Sequence, residues 1–182
     1  MIALDLISDF EFPDGPAVRR ALKLRLKSIQ GLLATARRQQ VPVIYANDNL
    51  GRWRSDSPAL IRHCLETPGG GAALVEALRP DERDFIVLKP RHSAFFGSPL
   101  ETLLDDQEVG TLVIAGVSAE SCVWMTACDA HTRGFDLVIP ADTLAGASTP
   151  ALRRALTSIR QVLSARVPAR ASSLRFSRGK LA

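Results

Sequence analysis

Residues 111–140, TLVIAGVSAESCVWMTACDAHTRGFDLVIP, decide the fold. The apolar, β-branched residues 111–115 predict a strand, and Gly116 ends it. The small, polar residues 117–121 indicate a turn, after which we expect a helix from near Cys122 to about residue 133. A second strand follows at residues 135–139 and stops at Pro140. This order of strand, turn, helix and strand is typical of a βαβ unit in a parallel sheet.

Cys122 stands at the carboxyl end of the first of these strands and close to the first turn of the helix. Unpaired backbone N–H groups and the positive end of the helix dipole stabilise a thiolate at such a position. A cysteine buried after a strand is nevertheless more often inert packing than a nucleophile. The assignment of Cys122 as a nucleophile therefore depends on other reactive groups nearby.

The rest of the chain repeats the alternation of strands and helices. We expect further strands at residues 1–7, 41–46 and 85–88. Amphipathic or apolar periodicity predicts helices at about residues 16–39, 57–66, 72–78, 98–105 and 149–165. The series predicts an α/β fold with a mostly parallel, Rossmann-like central sheet and helices on both of its faces.

Reactive side chains follow several of the predicted strands. Asp5 and Asp9 lie near the end of the first strand, Asp48 follows the second, and Lys89 ends the third. Ligands of open parallel sheets bind at the carboxyl ends of the strands. The pattern therefore brings an acid, an ammonium group and the thiol of Cys122 to one rim.

The composition is ordinary for one globular domain of 182 residues, and the net charge is +4. The excess charge lies in the C-terminal stretch, and without it the chain has 18 basic against 19 acidic residues. We therefore divide the chain into a domain at residues 1–165 and a basic tail at 166–182 of the kind that is usually solvated. The basic residues of that tail are Arg166, Arg170, Arg175, Arg178 and Lys180. This distribution argues against a nucleic-acid partner.

The cysteines and the hydropathy indicate the cellular setting. Cys64, Cys122 and Cys128 have no paired spacing, so we interpret them as reduced thiols of a cytoplasmic protein. The first residues, MIALDLISDFEF, have no basic region of a signal peptide. No apolar run approaches the ~20 residues that span a bilayer, which argues against a membrane partner.

Three motifs carry a family resemblance: DLISDF at residues 5–10, KPRHSAF at 89–95, and GVSAESCV at 116–123 followed by TA and DA at 126–130. In this order and spacing, over roughly residues 1–165, they resemble the isochorismatase-like cysteine hydrolases. That family includes nicotinamidases, N-carbamoylsarcosine amidase and ureidoacrylate or biuret amidohydrolases. The resemblance implies a three-layer α/β/α sandwich, an isochorismatase-like hydrolase fold, and no cofactor.

The resemblance also implies roles for single residues. Asp5, Lys89 and Cys122 match the catalytic triad, in which a cysteine thiolate attacks an amide or ureido carbonyl. We expect Lys89 and the helix N-terminus to lower the pKa of Cys122, and Asp5 to carry its proton. The backbone N–H groups of Ser118 and Cys122 match the oxyanion hole, and the family's cis peptide bond maps to Val117 and Ser118.

The sequence departs from the family at two places. Ile7 replaces the glutamine that is common in the first motif. In the nicotinamidases, an Asp and several His residues after the second strand hold a divalent ion. Asp48 matches that Asp and His63 could match the last His, but Leu50 stands where a His is needed, and two ligands rarely make a zinc site. We therefore expect no metal.

The substrate is expected to be a small amide or carbamoyl compound. Phe10, Trp53, Phe95 and Phe96 are candidates to wall a small flat pocket, each of them as readily a core residue. Arg52, Arg54 and Arg91 are candidates to bind a carboxylate, which favours a substrate that carries an acid. The resemblance also suggests a homo-oligomer, either a dimer or a tetramer.

Two other functions compete with a metal-independent cysteine amidohydrolase. One is an isochorismatase proper, which hydrolyses a vinyl ether; those enzymes tend to lack the cysteine, so Cys122 counts against it. The other is a non-catalytic binding or regulatory protein that uses the same fold. The complete set of Asp5, Lys89 and Cys122 argues against a non-catalytic protein.

Overall fold

The computed structural model describes residues 1–54, 56–69, 71–177 and 180–181. Within these residues the central sheet has five strands, all parallel, in the order β3-β2-β1-β4-β5. The strands are β1 Ile2–Leu4, β2 Ile44–Asp48, β3 Phe85–Lys89, β4 Thr111–Gly116 and β5 Asp136–Val138. The chain runs from β1 outward to β3 on one side and then starts again at β4 on the other. The predicted parallel α/β sheet is confirmed.

Helices cover both faces of the sheet. They are α1 Gly15–Arg38, α2 Ser57–Glu66, α3 Ala72–Leu78, α4 Leu100–Asp106, α5 Trp124–Thr132 and α6 Thr149–Val162. Ala3 and Tyr45 share a core with apolar residues of α1, α2 and α3, whereas Ile2 and Ile44 share one with residues of α4, α5 and α6. Because successive strand residues point to opposite faces, one strand supplies both cores. The result is the expected three-layer α/β/α sandwich.

The longest helix, α1, shows how the sequence produces this packing. Pro16 lies in its first turn, where its missing N–H costs no hydrogen bond. Val18, Leu22, Ile29 and Leu33 are buried and recur at helical spacing, so they form one apolar stripe against the sheet. Among the described residues, no helix combines the length and the apolar run that crossing a membrane requires.

The strand and helix boundaries differ from the prediction mainly at the carboxyl rim. β1 ends at Leu4 instead of residue 7, because Asp5 takes a left-handed backbone conformation with φ 50° that no strand can continue. β2 runs on to Asp48. The helix predicted from Cys122 begins instead as a π-helical turn over Ala119–Val123, which leads into α5.

The first part of the predicted basic tail belongs to the folded domain. The backbone of Arg166 bonds to both Leu137 and Ile139, beside β5. Ala171 and Leu174 are buried against α1, and Ala171 N–H donates to the Asp142 carboxylate at 2.8 Å. A short antiparallel pair, β6 Phe176–Ser177 and β7 Lys180–Leu181, follows. The side chains of Arg166, Arg170 and Arg175 are exposed, as expected of solvated charges, and Arg178 lies outside the described residues.

Candidate active site

The candidate site lies at the centre of the carboxyl rim, where the strand order changes direction. β1 and β4 are neighbours in the sheet, but the chain leaves them toward opposite edges. A crevice opens between the ends of two such strands. Asp5 directly follows β1, Cys122 lies in the turn after β4, and the side chain of Lys89 reaches in from the end of β3. Three separate segments therefore meet at one point.

Lys89 lies at the centre of this arrangement and contacts four other residues of it. It is 0% exposed, and its Nζ lies 3.0 Å from Asp5 Oδ2 and 3.5 Å from Asp48 Oδ2. Nζ also donates to the carbonyl oxygen of Arg91 at 3.2 Å and lies 3.6 Å from Cys122 Sγ. Burial would lower the pKa of Lys89, but its neighbours, the charge of Asp5 foremost, outweigh burial and raise it. The ammonium group is therefore held in its charged form.

The Asp5 carboxylate is fixed on both of its oxygen atoms. Oδ1 accepts the backbone N–H of Asp48 at 2.7 Å, while Oδ2 pairs with Lys89. Burial raises the pKa of Asp5, and the charge of Lys89 and the hydrogen bonds with Cys122, Lys89 and Asp48 oppose that rise without cancelling it. A carboxylate with a raised pKa is a stronger base than an exposed one. The raised pKa and the hydrogen bond with Cys122 are what a base for the adjacent thiol would require.

Cys122 has a thiol that stays protonated in the resting site. Its Sγ lies 3.6 Å from Lys89 Nζ and 3.6 Å from His92 Nδ1, and the thiol is hydrogen-bonded to the Asp5 carboxylate. Burial, and after it the charge of Asp5, raise the pKa of Cys122 to about 12, although Lys89 acts in the opposite direction. The expectation of a lowered pKa was wrong, because it counted Lys89 and ignored both desolvation and the acid next to the sulfur.

The turn that carries Cys122 has an unusual backbone. The peptide bond between Val117 and Ser118 is cis, and the Val123 N–H reaches back five residues to the Ser118 carbonyl at 3.1 Å. The Ala119 N–H donates to the carbonyl of Ala145, which ties the turn to the segment before α6. Ser118 and Cys122 both line the cavity described next, which is where an oxyanion hole would be needed.

A cavity of about 520 Å³ opens above Cys122, a volume that suits a small molecule. Its described lining includes the carboxylic acids Asp5, Asp9, Glu11, Asp14, Asp48 and Glu120. Its other lining residues are Ile7, Ser8, Phe12, Leu50, His92, Val117, Ser118, Ser121, Cys122 and Ala147. The cavity is thus apolar in part and strongly acidic in the rest.

The two aromatic core candidates for substrate binding do not line this cavity. Phe10 is 5% exposed and packs in the core beside Gly71. Phe95 is buried in the other core, with its ring 5.9 Å from that of Phe135 and with the Arg133 guanidinium over it. Both rings pack in the core, as the alternative interpretation of these residues predicted.

The remaining candidates for substrate binding lie on the surface. Trp53 is 76% exposed and shares a separate groove with Arg52, whose guanidinium contacts His63 at 3.4 Å. Arg91 is exposed and lines another groove, which shares His92 with the cavity. The cavity around Cys122 therefore gives these assignments no support.

Sequence reasoning missed Phe12, His92 and Glu120 as cavity residues. His92 and Glu120 stand inside the second and third motifs, next to residues that were assigned, so their position in those motifs was an available signal. Phe12 lies in an irregular loop after β1, and nothing in its local pattern indicates where its ring points. His92 also contacts Ser121 Oγ at 3.4 Å, so it stands directly beside the turn that carries Cys122.

The two residues considered as metal ligands are engaged elsewhere. His63 Nε2 lies 2.9 Å from Asp9 Oδ2. Asp48 uses Oδ1 to accept the Leu50 N–H at 2.7 Å, and its Oδ2 faces Lys89. Leu50, which stands where a His would be needed, lines the cavity with an apolar side chain. No group of three or more His, Cys, Asp or Glu side chains within the described residues is arranged to hold a metal ion, so this donor set does not fit a zinc site.

Comparisons with known proteins show what the chain is similar to. Residues 1–168 match the family profile described as isochorismatase domain. The isochorismatase family protein YaaI of Bacillus subtilis is 32% identical over 167 residues, which cover 92% of this chain and 91% of that protein. The N-carbamoylsarcosine amidase of an Arthrobacter species is 27% identical over 156 residues, and the match spans 79% of this chain but only 58% of the amidase.

A solved structure shows that the similarity extends to the fold. The N-carbamoylsarcosine amidase of Thermoplasma acidophilum superposes with a TM-score of 0.71 at 22% identity, covering 96% of this chain and 97% of that one. At that identity the likeness concerns the fold alone.

Proposed function

Because the chain belongs to the isochorismatase family, we propose that it is a cysteine amidohydrolase that cleaves a C–N bond of a small amide, ureido or carbamoyl compound. The observation that carries the proposal is the contact set of Cys122, Asp5 and Lys89 at the floor of a ligand-sized cavity. Relatives named as amidases support the class of bond, since one of them aligns with four fifths of the chain.

The first half of the reaction begins with a proton transfer from Cys122 to Asp5. The sulfur then attacks the carbonyl carbon, a C–S bond forms, and the carbonyl oxygen becomes an oxyanion. Backbone N–H groups of Ser118 and Cys122 would donate hydrogen bonds to that oxyanion. As the intermediate collapses, the C–N bond breaks and Asp5 gives its proton to the departing nitrogen. Ammonia or an amine leaves, and a thioester (a thiocarbamate for a ureido substrate) remains on Cys122.

The second half returns the enzyme to its starting state. Asp5 takes a proton from water, the resulting hydroxide attacks the acyl carbon, and the C–S bond breaks. The proton held by Asp5 then returns to the sulfur. Lys89 serves both halves, because its Nζ lies 3.0 Å from Asp5 and 3.6 Å from Sγ. Negative charge that moves between these two groups therefore stays beside the same ammonium.

The proposal is a metal-independent reaction, since Asp48 and His63 have other partners and Leu50 offers no ligand atom. A cytoplasmic location and a homo-oligomeric state stay predictions from the sequence. Size-exclusion chromatography with light scattering measures the latter.

An ammonia-release screen over amides, ureas and carbamoyl compounds tests the proposal. The best substrate is then mixed with the enzyme, the reaction is quenched in acid, and peptides are mapped by mass spectrometry. No Lys or Arg separates Cys122 from Cys128, so the modified residue is assigned by fragmenting the peptide that contains both. We expect the acyl group on Cys122 and not on Cys128, a half-buried thiol outside the cavity. Turnover that is abolished by a chelator and restored by a metal ion would contradict the metal-independent mechanism.

A further inference from the structure

The cavity has more carboxylates than positive partners for them. Asp5 and Asp48 share the single charge of Lys89, and Asp9 pairs with His63. Within the described part of the chain, the carboxylates of Glu11 and Asp14 have no ion pair or hydrogen-bond donor. A Cβ at Gly69 would lie 3.9 Å from Glu11 Oε1 and 4.0 Å from the Arg19 guanidinium, so Arg19 is near Glu11 without forming an ion pair with it. The mouth of the cavity therefore carries more negative than positive charge.

Glu120 adds a third uncompensated carboxylate beside the nucleophile's turn. Its Oε1 accepts the Ala147 N–H at 2.7 Å, but its Oε2 is buried and has no partner among the described residues. The loop makes room for this carboxylate, because a Cβ at Gly146 would overlap Oε2. A buried oxygen that lacks a donor is costly. The position of Glu120 is thus built into the loop, and its charge acts on the cavity through low-dielectric surroundings.

Basic side chains are absent from the described lining. His92 is the one residue there that can become a cation, and Lys89 is buried beneath two acids. Arg52 and Arg54 line the groove of Trp53, and Arg91 lines the groove that shares His92 with the cavity. A carboxylate-bearing substrate would meet acids in the cavity and no guanidinium. The expectation that the substrate carries an acid is therefore reversed by the geometry.

We propose that this cavity selects amides or ureas that carry a protonated amine, and that it rejects those that carry a carboxylate. The inference rests on the proposed function for the chemistry at Cys122, but the charge preference arises from Glu11, Asp14 and Glu120. A cation near the mouth gains attraction from these groups, while an anion of the same shape is repelled. Uncharged substrates should have a kcat/KM between those of the cationic and the anionic ones.

A series of three amides of similar size tests this preference by turnover. It consists of 3-aminopropanamide, which is a cation at neutral pH, uncharged butanamide, and anionic succinamate. We expect kcat/KM to fall in that order, with a ratio of about 100 between cation and anion. The variants Glu11→Gln and Asp14→Asn should each lower this ratio several-fold. Asp105→Asn, the same charge change at an exposed helix position outside the cavity lining, should leave it unchanged.

A second measurement needs no turnover and separates this inference from the proposed function. Cys122 is modified with a cationic or an anionic methanethiosulfonate, which leaves a mixed disulfide and releases methanesulfinate. The rate for each reagent is divided by the rate at which the same reagent modifies a small neutral thiol in solution. We expect the cationic reagent to be favoured about 10-fold or more, and Glu11→Gln to reduce that factor.

The outcomes are distinct. Preference for the cationic reagent without hydrolysis of any amide would overturn the proposed function and keep the charge selectivity. Hydrolysis with succinamate as the best substrate would overturn the selectivity and keep the amidohydrolase. Equal modification rates for the two reagents would overturn the selectivity whether or not an amide is hydrolysed.

Discussion

Lys89 and Asp5 control Cys122 through charge and burial together. Lys89 is fully buried, yet its ammonium group contacts the carboxylates of Asp5 and Asp48 and the carbonyl oxygen of Arg91. Burial and the charge of Asp5 keep the proton on the Cys122 thiol, whose pKa is raised to about 12. We propose that the nucleophile is generated when Asp5 takes the proton, so that the resting site does not store a thiolate.

The pH dependence of Cys122 alkylation tests this acid–base assignment. In the wild-type protein the alkylation rate should keep rising with pH well above the ordinary thiol pKa of about 8.5. Asp5→Asn removes the negative charge and the acceptor that raise the pKa of Cys122, so its rate profile should shift to lower pH while hydrolysis is lost. A wild-type profile that levels off near the ordinary value, or an unshifted profile in Asp5→Asn, would contradict the assignment.

The strands β1 and β4 set the spacing of the two reactive turns. Leu4 and Gly116 are register partners at the carboxyl ends of these strands, one residue before Asp5 and shortly before Cys122. Gly116 has φ 135°, and a Cβ there would overlap the carbonyl oxygen of Leu4. Glycine is therefore required by both its backbone angle and the close approach of the strands.

Gly116→Ala should destabilise the protein by about 3 kcal/mol or more, because two strand backbones must separate to admit the methyl group. Urea unfolding followed by circular dichroism measures the change. Gly31→Ala is the matched control, since Gly31 is exposed on α1 and a Cβ there meets nothing. That change should stabilise the protein by about 0.5–1 kcal/mol. Similar effects of both substitutions would argue against a tight contact between β1 and β4.

Sequence patterns were sufficient to predict the features that depend on the order of strands and helices along the chain. Alternating strands and helices predict a parallel sheet, and a parallel sheet brings the residues after its strands to one rim, which is how Asp5, Lys89 and Cys122 could be grouped in advance. The pKa of Cys122 could not be predicted so, because it depends on burial and on the position of a single acid. For Phe10 and Phe95 the sequence left pocket wall and core as open alternatives, since the irregular loops that carry them have no periodicity to show which way a ring points.

The whole molecule and its cavity have charges of opposite sign. The chain carries a net charge of +4, with basic residues concentrated toward its C-terminus, whereas the cavity lining is acidic. Long-range attraction governed by net charge would favour anionic substrates. The local field of Glu11, Asp14 and Glu120 would favour cationic ones. The two effects therefore predict opposite dependences on salt.

For 3-aminopropanamide we expect kcat/KM to fall roughly tenfold as ionic strength rises from about 0.02 to about 0.5 M, because salt screens the attraction of the cavity. The uncharged butanamide is the control and should change little over the same range. If the cationic substrate is instead hydrolysed faster at high salt, net charge outweighs the cavity and the local field is not the selecting element.

The central claim is that Cys122 forms a covalent bond with the substrate carbonyl, and ammonia release by Cys122→Ala tests it most directly. The best amide from the screen is used, with Cys128→Ala as the matched control and thermal unfolding as the measure of folding. We predict that Cys122→Ala, while folded, loses at least about a thousandfold in kcat and that Cys128→Ala stays near the parent enzyme. Ammonia release by folded Cys122→Ala within about tenfold of the parent would contradict the covalent mechanism.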